Sequence, residues 1–158
     1  MKDITQLRDW QIQAVNSGRH AQHFLCQAPG GSGKSLVQVM LAQADINDTG
    51  NKQLILVPQS HIHRSFYDED GISFTLPGDQ DRSHWKVAHN LCSNNRGTLA
   101  TLKKFLLADS AELRSRNASA AVCTHQALGL LWRRFTDDER RQALQCICHA
   151  WSSRGVGE

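Results

Sequence analysis

Apolar positions along the chain recur at two different spacings, and the alternation between them outlines the elements. In LRDWQIQAVN (residues 7–16), Leu7, Trp10, Ile12 and Val15 fall on roughly one face at helical spacing. AQHFLCQA (21–28) reads as a strand that ends in a glycine-rich turn. KSLVQVMLAQADI (34–46) returns to the helical period, with Leu36, Val37, Met40, Leu41 and Ala44 on the apolar side. DTGN (48–51) is a turn, and KQLILVP (52–58) is a continuous apolar run of the kind buried on both faces of a parallel sheet.

Beyond it, SHIHRSFY (60–67) predicts a second helix after that strand. Residues 68–96, rich in Asp, Gly, Ser, Asn and Pro, show little period and read as irregular. TLATLKKFLLADSAEL (98–113) is helical, SAAVCT (119–124) a short buried strand, and HQALGLLWRRF (125–135) another helix. TDDERRQALQCICHAW (136–151) opens on a Thr136-x-x-Glu139 capping box and reads as a last helix. There is no internal repeat. Strands alternating with helices predict an α/β fold around a parallel sheet.

Composition narrows this modestly. A length of 158 residues suits one domain with a real core, and 40% hydrophobic with 21% charged residues is ordinary for a globular chain. A net charge of +3 permits a nucleic-acid partner without arguing for one. The apolar runs are too short for a membrane helix, and MKDITQLRDWQ lacks the apolar centre of a signal peptide. Five cysteines (26, 92, 123, 146, 148) without framework spacing predict free thiols in a reducing, cytoplasmic setting.

The richest chemistry lies in APGGSGKS (28–35), where G-x-x-x-x-G-K-[ST] fits at Gly33-Lys34-Ser35 but Ala28 stands in place of the first glycine. A bound triphosphate needs several main-chain N–H groups converging on its oxygens, followed by the positive end of a helix. Gly30, Gly31 and Gly33 let the chain turn its amides inward, with Pro29 and Ser32 in the same loop. Lys34 would set a charge at the β- and γ-phosphates, and the Ser35 hydroxyl would ligate Mg²⁺. The competing reading is a chance glycine turn with an exposed lysine.

Read as A-x-x-G-x-G-K-[ST], the loop resembles motif I of superfamily 2 helicases and translocases, in which alanine commonly opens the loop. LRDWQIQAV resembles the segment preceding that motif in many DNA-directed members; the resemblance implies that Gln11 bonds the adenine edge, the competing reading being a polar residue on a plain amphipathic helix. LILVPQSHIHRSF resembles motif Ia at Val57-Pro58, and AVCTHQALGLLW resembles a later V-x-T-Y-Q-x-L motif at Thr124, Gln126 and Leu128. Both motifs touch a nucleic-acid backbone in the family, which implicates Pro58, Gln59, Ser60, Thr124 and Gln126. At Gln59 and His125 the chain departs from the family's usual Thr and Tyr.

The resemblance covers about residues 5–134. It implies a three-layer, RecA-like P-loop NTPase domain over 1–135, with ATP and Mg²⁺ as cofactors. DNA is the expected partner, RNA being an open alternative, together with a second RecA-like domain that this chain lacks. Residues 136–158 are then a C-terminal helix and tail.

Hydrolysis also requires carboxylates for the Mg²⁺ shell and the attacking water. The family's D-E-x-H segment has no counterpart: Asp137-Asp138-Glu139-Arg140 follows no buried strand and reads as a helix start. The ending CICHAWSSRGVGE is polar and glycine-bearing rather than strand-like, so a truncated domain is expected, one that binds nucleotide weakly and turns it over poorly. Two further classes stay open: a non-catalytic nucleotide- or DNA-binding module, and a small P-loop kinase, for which the polar stretch supplies only Arg82 and Arg96. His84, His89 and Cys92, like Cys146, Cys148 and His149, lack the paired spacing of a structural zinc site. The basic residues of 96–116 are interleaved with Asp109 and Glu112 as on a solvated face, and Trp85 and Trp132 are expected in the core.

Overall fold

The computed structural model describes residues 1–93, 96–146 and 149–152. Strands β1 (Lys2–Asp3), β2 (Gln53–Val57), β3 (Ile72–Thr75), β4 (Arg82–Trp85), β5 (His89–Leu91), β6 (Ala120–Thr124) and β7 (His149–Ser152) are interspersed with helices. These are α1 (Asp9–Gly18), α2 (Lys34–Thr49), α3 (Arg96–Leu107), α4 (Ser110–Ser115), α5 (His125–Arg134) and α6 (Asp137–Cys146).

The two continuous apolar runs lie side by side. β2 and β6 pair in parallel from Gln53↔Ala120 to Val57↔Thr124, and the sheet runs β5-β6-β2-β7 with every pairing parallel. Alternate residues of each strand enter different cores. Ile55, Val57, Ala120 and Val122 join Val15, Val37, Met40, Phe74 and Trp85; Leu54, Ala121 and Cys123 join Leu102, Phe105, Leu106, Leu131 and Phe135. Both faces of the sheet are therefore buried, which is why these strands read as unbroken apolar sequence. The mixed α/β expectation holds, with α1 and α2 packed into the first core and α3 to α6 into the second.

One polar residue ties strand to helix beneath the surface. Lys52, 1% exposed, sits just before β2 and donates from Nζ to the carbonyls of Phe105, Leu106 and Ala108 at 2.8, 2.7 and 2.9 Å. It thereby satisfies carbonyls that the end of α3 leaves without intrahelical partners.

Several expectations need correction. Residues 21–28 form no strand: the segment has no ladder partner, and Leu25 is 92% exposed. An isolated extended segment gains nothing from its apolar composition without a neighbour to pair with. The stretch 68–96, read as irregular, holds the antiparallel pair β3–β4, to which β1 adds in parallel, and also β5. The expected helix at 60–67 is a 3-10 helix over Ser60–Ser65. The helix expected over 98–113 breaks into α3 and α4, because Asp109 caps α4 by accepting from the Ala111 N–H at 2.8 Å. Finally, the last helix stops at Cys146, and His149–Ser152 adds to β2 as a parallel strand rather than continuing the helix or remaining unpaired.

Candidate phosphate-binding loop and the adjoining sheet edge

Residues 29–33 form a tight loop held largely through its carbonyls. The Pro29 carbonyl accepts from the Ser32 N–H at 3.3 Å and from Ser32 Oγ at 2.6 Å. Arg8 donates to the Ser32 carbonyl at 2.8 Å, Gln11 Nε2 to the Gly33 carbonyl at 3.2 Å, and Lys34 Nζ to the Ala28 carbonyl at 2.8 Å. Gly31 and Gly33 adopt φ of +73° and +92°, the left-handed region that other residues enter at a cost.

α2 begins at Lys34 directly after this loop, and its N-cap, Gly33, supplies no side-chain bond. The first N–H groups of a 16-residue helix thus open onto the loop with the dipole's positive end behind them. Lys34 and Ser35, both half-buried, occupy its first turn, and Gly30 has open space around it. The arrangement has the chemistry an anion would need: main-chain amides at a helix start and one ammonium, with loop carbonyls engaged by other donors.

Gln11 is placed by the same network. It is 4% exposed, its Oε1 accepts from the Arg8 N–H at 2.9 Å, and its Nε2 holds Gly33. The side chain therefore bridges the start of α1 to the loop. Neither this bridge nor the Arg8 contact follows from sequence spacing, since both span more than twenty residues.

The second set of candidates converges at one sheet edge. Val57 pairs with Thr124, so Pro58–Ser60 and Thr124–Gln126 both leave the C-terminal ends of adjacent strands. Gln59 and Ser60 are exposed and Pro58 is half-buried. Thr124 Oγ1 accepts from the Ala127 N–H at 3.1 Å and so caps α5, while Gln126 is exposed beside a groove of about 450 Å³ on that helix. Only Gly50–Lys52 separate α2 from β2, so the chain passes directly from the helix that follows the glycine loop into this strand.

The acidic candidate keeps its structural role. The Thr136 N–H donates to Glu139 Oε1 at 3.1 Å and the Glu139 N–H to Thr136 Oγ1 at 3.2 Å, the reciprocal box expected from the sequence. Lys103, 2.6 Å from Glu139, holds that carboxyl below its usual range. β7 lies beside β2 without an acidic residue, and the sequence has none between Glu139 and Glu158.

Other groups are structural. Trp85 Nε1 donates to the Phe66 carbonyl at 2.9 Å inside the core, and Trp132 packs on Phe135. Among the described residues no cluster of three metal-ligating side chains occurs, and Cys26, Cys92 and Cys123 are free thiols. Burial pushes the Cys92 and Cys123 thiols up to about 11 and about 12. Cys148 and residues 153–158 lie outside the described residues, as do the side chains of Arg96, Cys146 and His149. No helix among the described residues is long and apolar enough to cross a membrane. Comparison with family models, curated proteins and solved structures found no match to this chain.

Proposed function

We propose that the chain is the ATP-binding domain of a nucleic-acid-dependent motor of the superfamily 2 helicase type, a three-layer RecA-like P-loop fold. The observation that carries this reading is the uncapped N-terminus of α2, entered through two left-handed glycines and headed by Lys34 and Ser35. In this reading Gly30, Gly31, Ser32 and Gly33 offer main-chain amides to the phosphates, while Pro29 shapes the turn that precedes them. Lys34 exchanges its bond to the Ala28 carbonyl for the β- and γ-phosphate oxygens, and the Ser35 hydroxyl joins the Mg²⁺ shell. Gln11 positions the loop from behind through Gly33. The Pro58–Ser60 and Thr124–Gln126 segments, which leave the ends of adjacent strands, grip the backbone of DNA or RNA.

A second reading has its own support. With no carboxylate on β7, and with Asp137 to Glu139 committed to the start of α6, the isolated chain fits a non-catalytic nucleotide-binding module. A small kinase fits less well, since the Arg82 guanidinium is paired with Asp3 rather than facing the loop.

The test is direct titration of the full chain with Mg-ATP, alongside phosphate release with and without DNA. Magnesium-dependent binding that Lys34→Ala abolishes is expected, with release near background. Absence of binding, or a Lys34→Ala variant that binds as well as the parent, overturns the nucleotide reading; turnover of several per second overturns its non-hydrolysing part.

A further inference from the structure

We infer that the groove along α5 is a seat for a single-stranded polynucleotide backbone, with Arg133 as its phosphate anchor. The inference rests on the nucleic-acid reading above and extends it to residues outside the motifs. The groove, about 450 Å³, is lined by His125, Gln126, Gly129, Leu130 and Arg133. Four of these stand at i, i+3, i+4 and i+7, one face of the helix. The opposite face, with Leu128, Leu131 and Trp132, packs into the core.

Two features of that outer face have no structural explanation. Gly129 lies mid-helix, where glycine is the poorest residue after proline, and a methyl group built there meets nothing within 4 Å. Among the described residues, no neighbour requires its missing side chain. Leu130 is 41% exposed beside it. Together they make an open apolar floor, with Gln126 at the sheet edge and Arg133 two turns away, about 10 Å along the axis.

Charge selects the occupant. α5 (HQALGLLWRR) carries Arg133 and Arg134 and no acidic residue. Its C-terminal cations also favour the helix dipole, but the dipole explains neither the gap at Gly129 nor the exposed Leu130. One guanidinium, Arg133, beside an apolar floor matches a chain whose phosphates and unstacked sugars or bases are presented together, as in a single strand; a duplex hides its base faces. The groove also continues from Gln126, so a strand crossing Pro58–Ser60 and Thr124–Gln126 runs on along the helix.

The experiment follows anisotropy of a labelled oligothymidylate, and of the RNA of equal length, against the full chain without nucleotide at several salt concentrations. Arg133→Ala is expected to weaken binding several-fold and to reduce the slope of log affinity against log salt by about one. Gly129→Ala is expected to raise Tm by about 2–4 °C while weakening binding, a combination that damage to the fold does not produce. Preference for either strand type identifies the ligand and supports the proposal. No oligonucleotide binding, an unchanged affinity and slope in Arg133→Ala, or self-association of the chain that Leu130→Asp disperses overturns it. Nucleotide is absent throughout, so failure of Mg-ATP binding in a separate titration, which overturns the nucleotide reading, is distinguished from failure of oligonucleotide binding, which overturns this one.

Discussion

At Gly33 two constraints meet that a sequence pattern registers only as a glycine. The backbone sits at φ +92°, and an added Cβ would lie 2.5 Å from Gln11 Nε2. Gln11 has little room to yield, since its other amide atom is engaged by Arg8. Left-handed backbone costs a non-glycine residue about 1–2 kcal/mol, so Gly33→Ala is expected to lower stability by about that amount and to abolish nucleotide binding. Thermal melting and Mg-ATP titration check the two effects separately. Lys34→Ala leaves φ untouched but removes the ammonium and its bond to the Ala28 carbonyl, so its loss of binding is expected with a smaller fall in Tm than Gly33→Ala shows. The turn at 30–33 was legible in the sequence because closely spaced glycines mark left-handed backbone, as at Gly31 and Gly33. That Arg8 and Gln11 clamp the loop was not, because it depends on where α1 docks.

Between elements, a single guanidinium links three parts of the first core. Arg19, following α1, lies 3.1 Å from Asp48 near the end of α2 and 2.9 Å from Asp79 in the β3–β4 turn. The bond to Arg19 holds the Asp48 carboxyl below its ordinary value of 3.8 and pushes the guanidinium's own value up. A lowered carboxylate contributes stability that is complete above its unfolded value and disappears as pH falls through the folded one. The loss therefore falls on the acid side. Asp48→Asn is expected to be less stable at neutral pH and to lose less than the parent between about pH 5 and about pH 2, as read by denaturant unfolding across that range. Sequence patterns reached the elements unevenly for a related reason. β2 and β6 were legible because burial on both faces leaves an unbroken apolar run. In the β3–β4 pair the inward positions include Ser83, which blurs the alternation, although Leu76-Pro77-Gly78-Asp79 is a turn signal that marks the pair. Asp109-x-x-Glu112 similarly marked the break between α3 and α4.

Across the whole molecule, chain direction gathers two of the candidate segments on one side. In a parallel sheet whose connections return through helices, the loops beyond the strands' C-terminal ends share an edge, and ligands of open α/β sheets bind there. Pro58–Ser60 and Thr124–Gln126 obey that geometry, the glycine loop enters α2 without a strand before it, and the groove on α5 begins at Gln126. If the two proposed ligands bind through separate groups, their effects on melting are separable. At Mg-ATP about ten times its Kd, preferential binding to the folded state is worth about 1.4 kcal/mol, or about 3–6 °C in Tm for a chain of this length. That shift is expected in the parent and in Arg133→Ala, but not in Lys34→Ala. A shift that survives Lys34→Ala assigns the nucleotide to another surface; one that disappears in Arg133→Ala joins the groove to the loop as a single site.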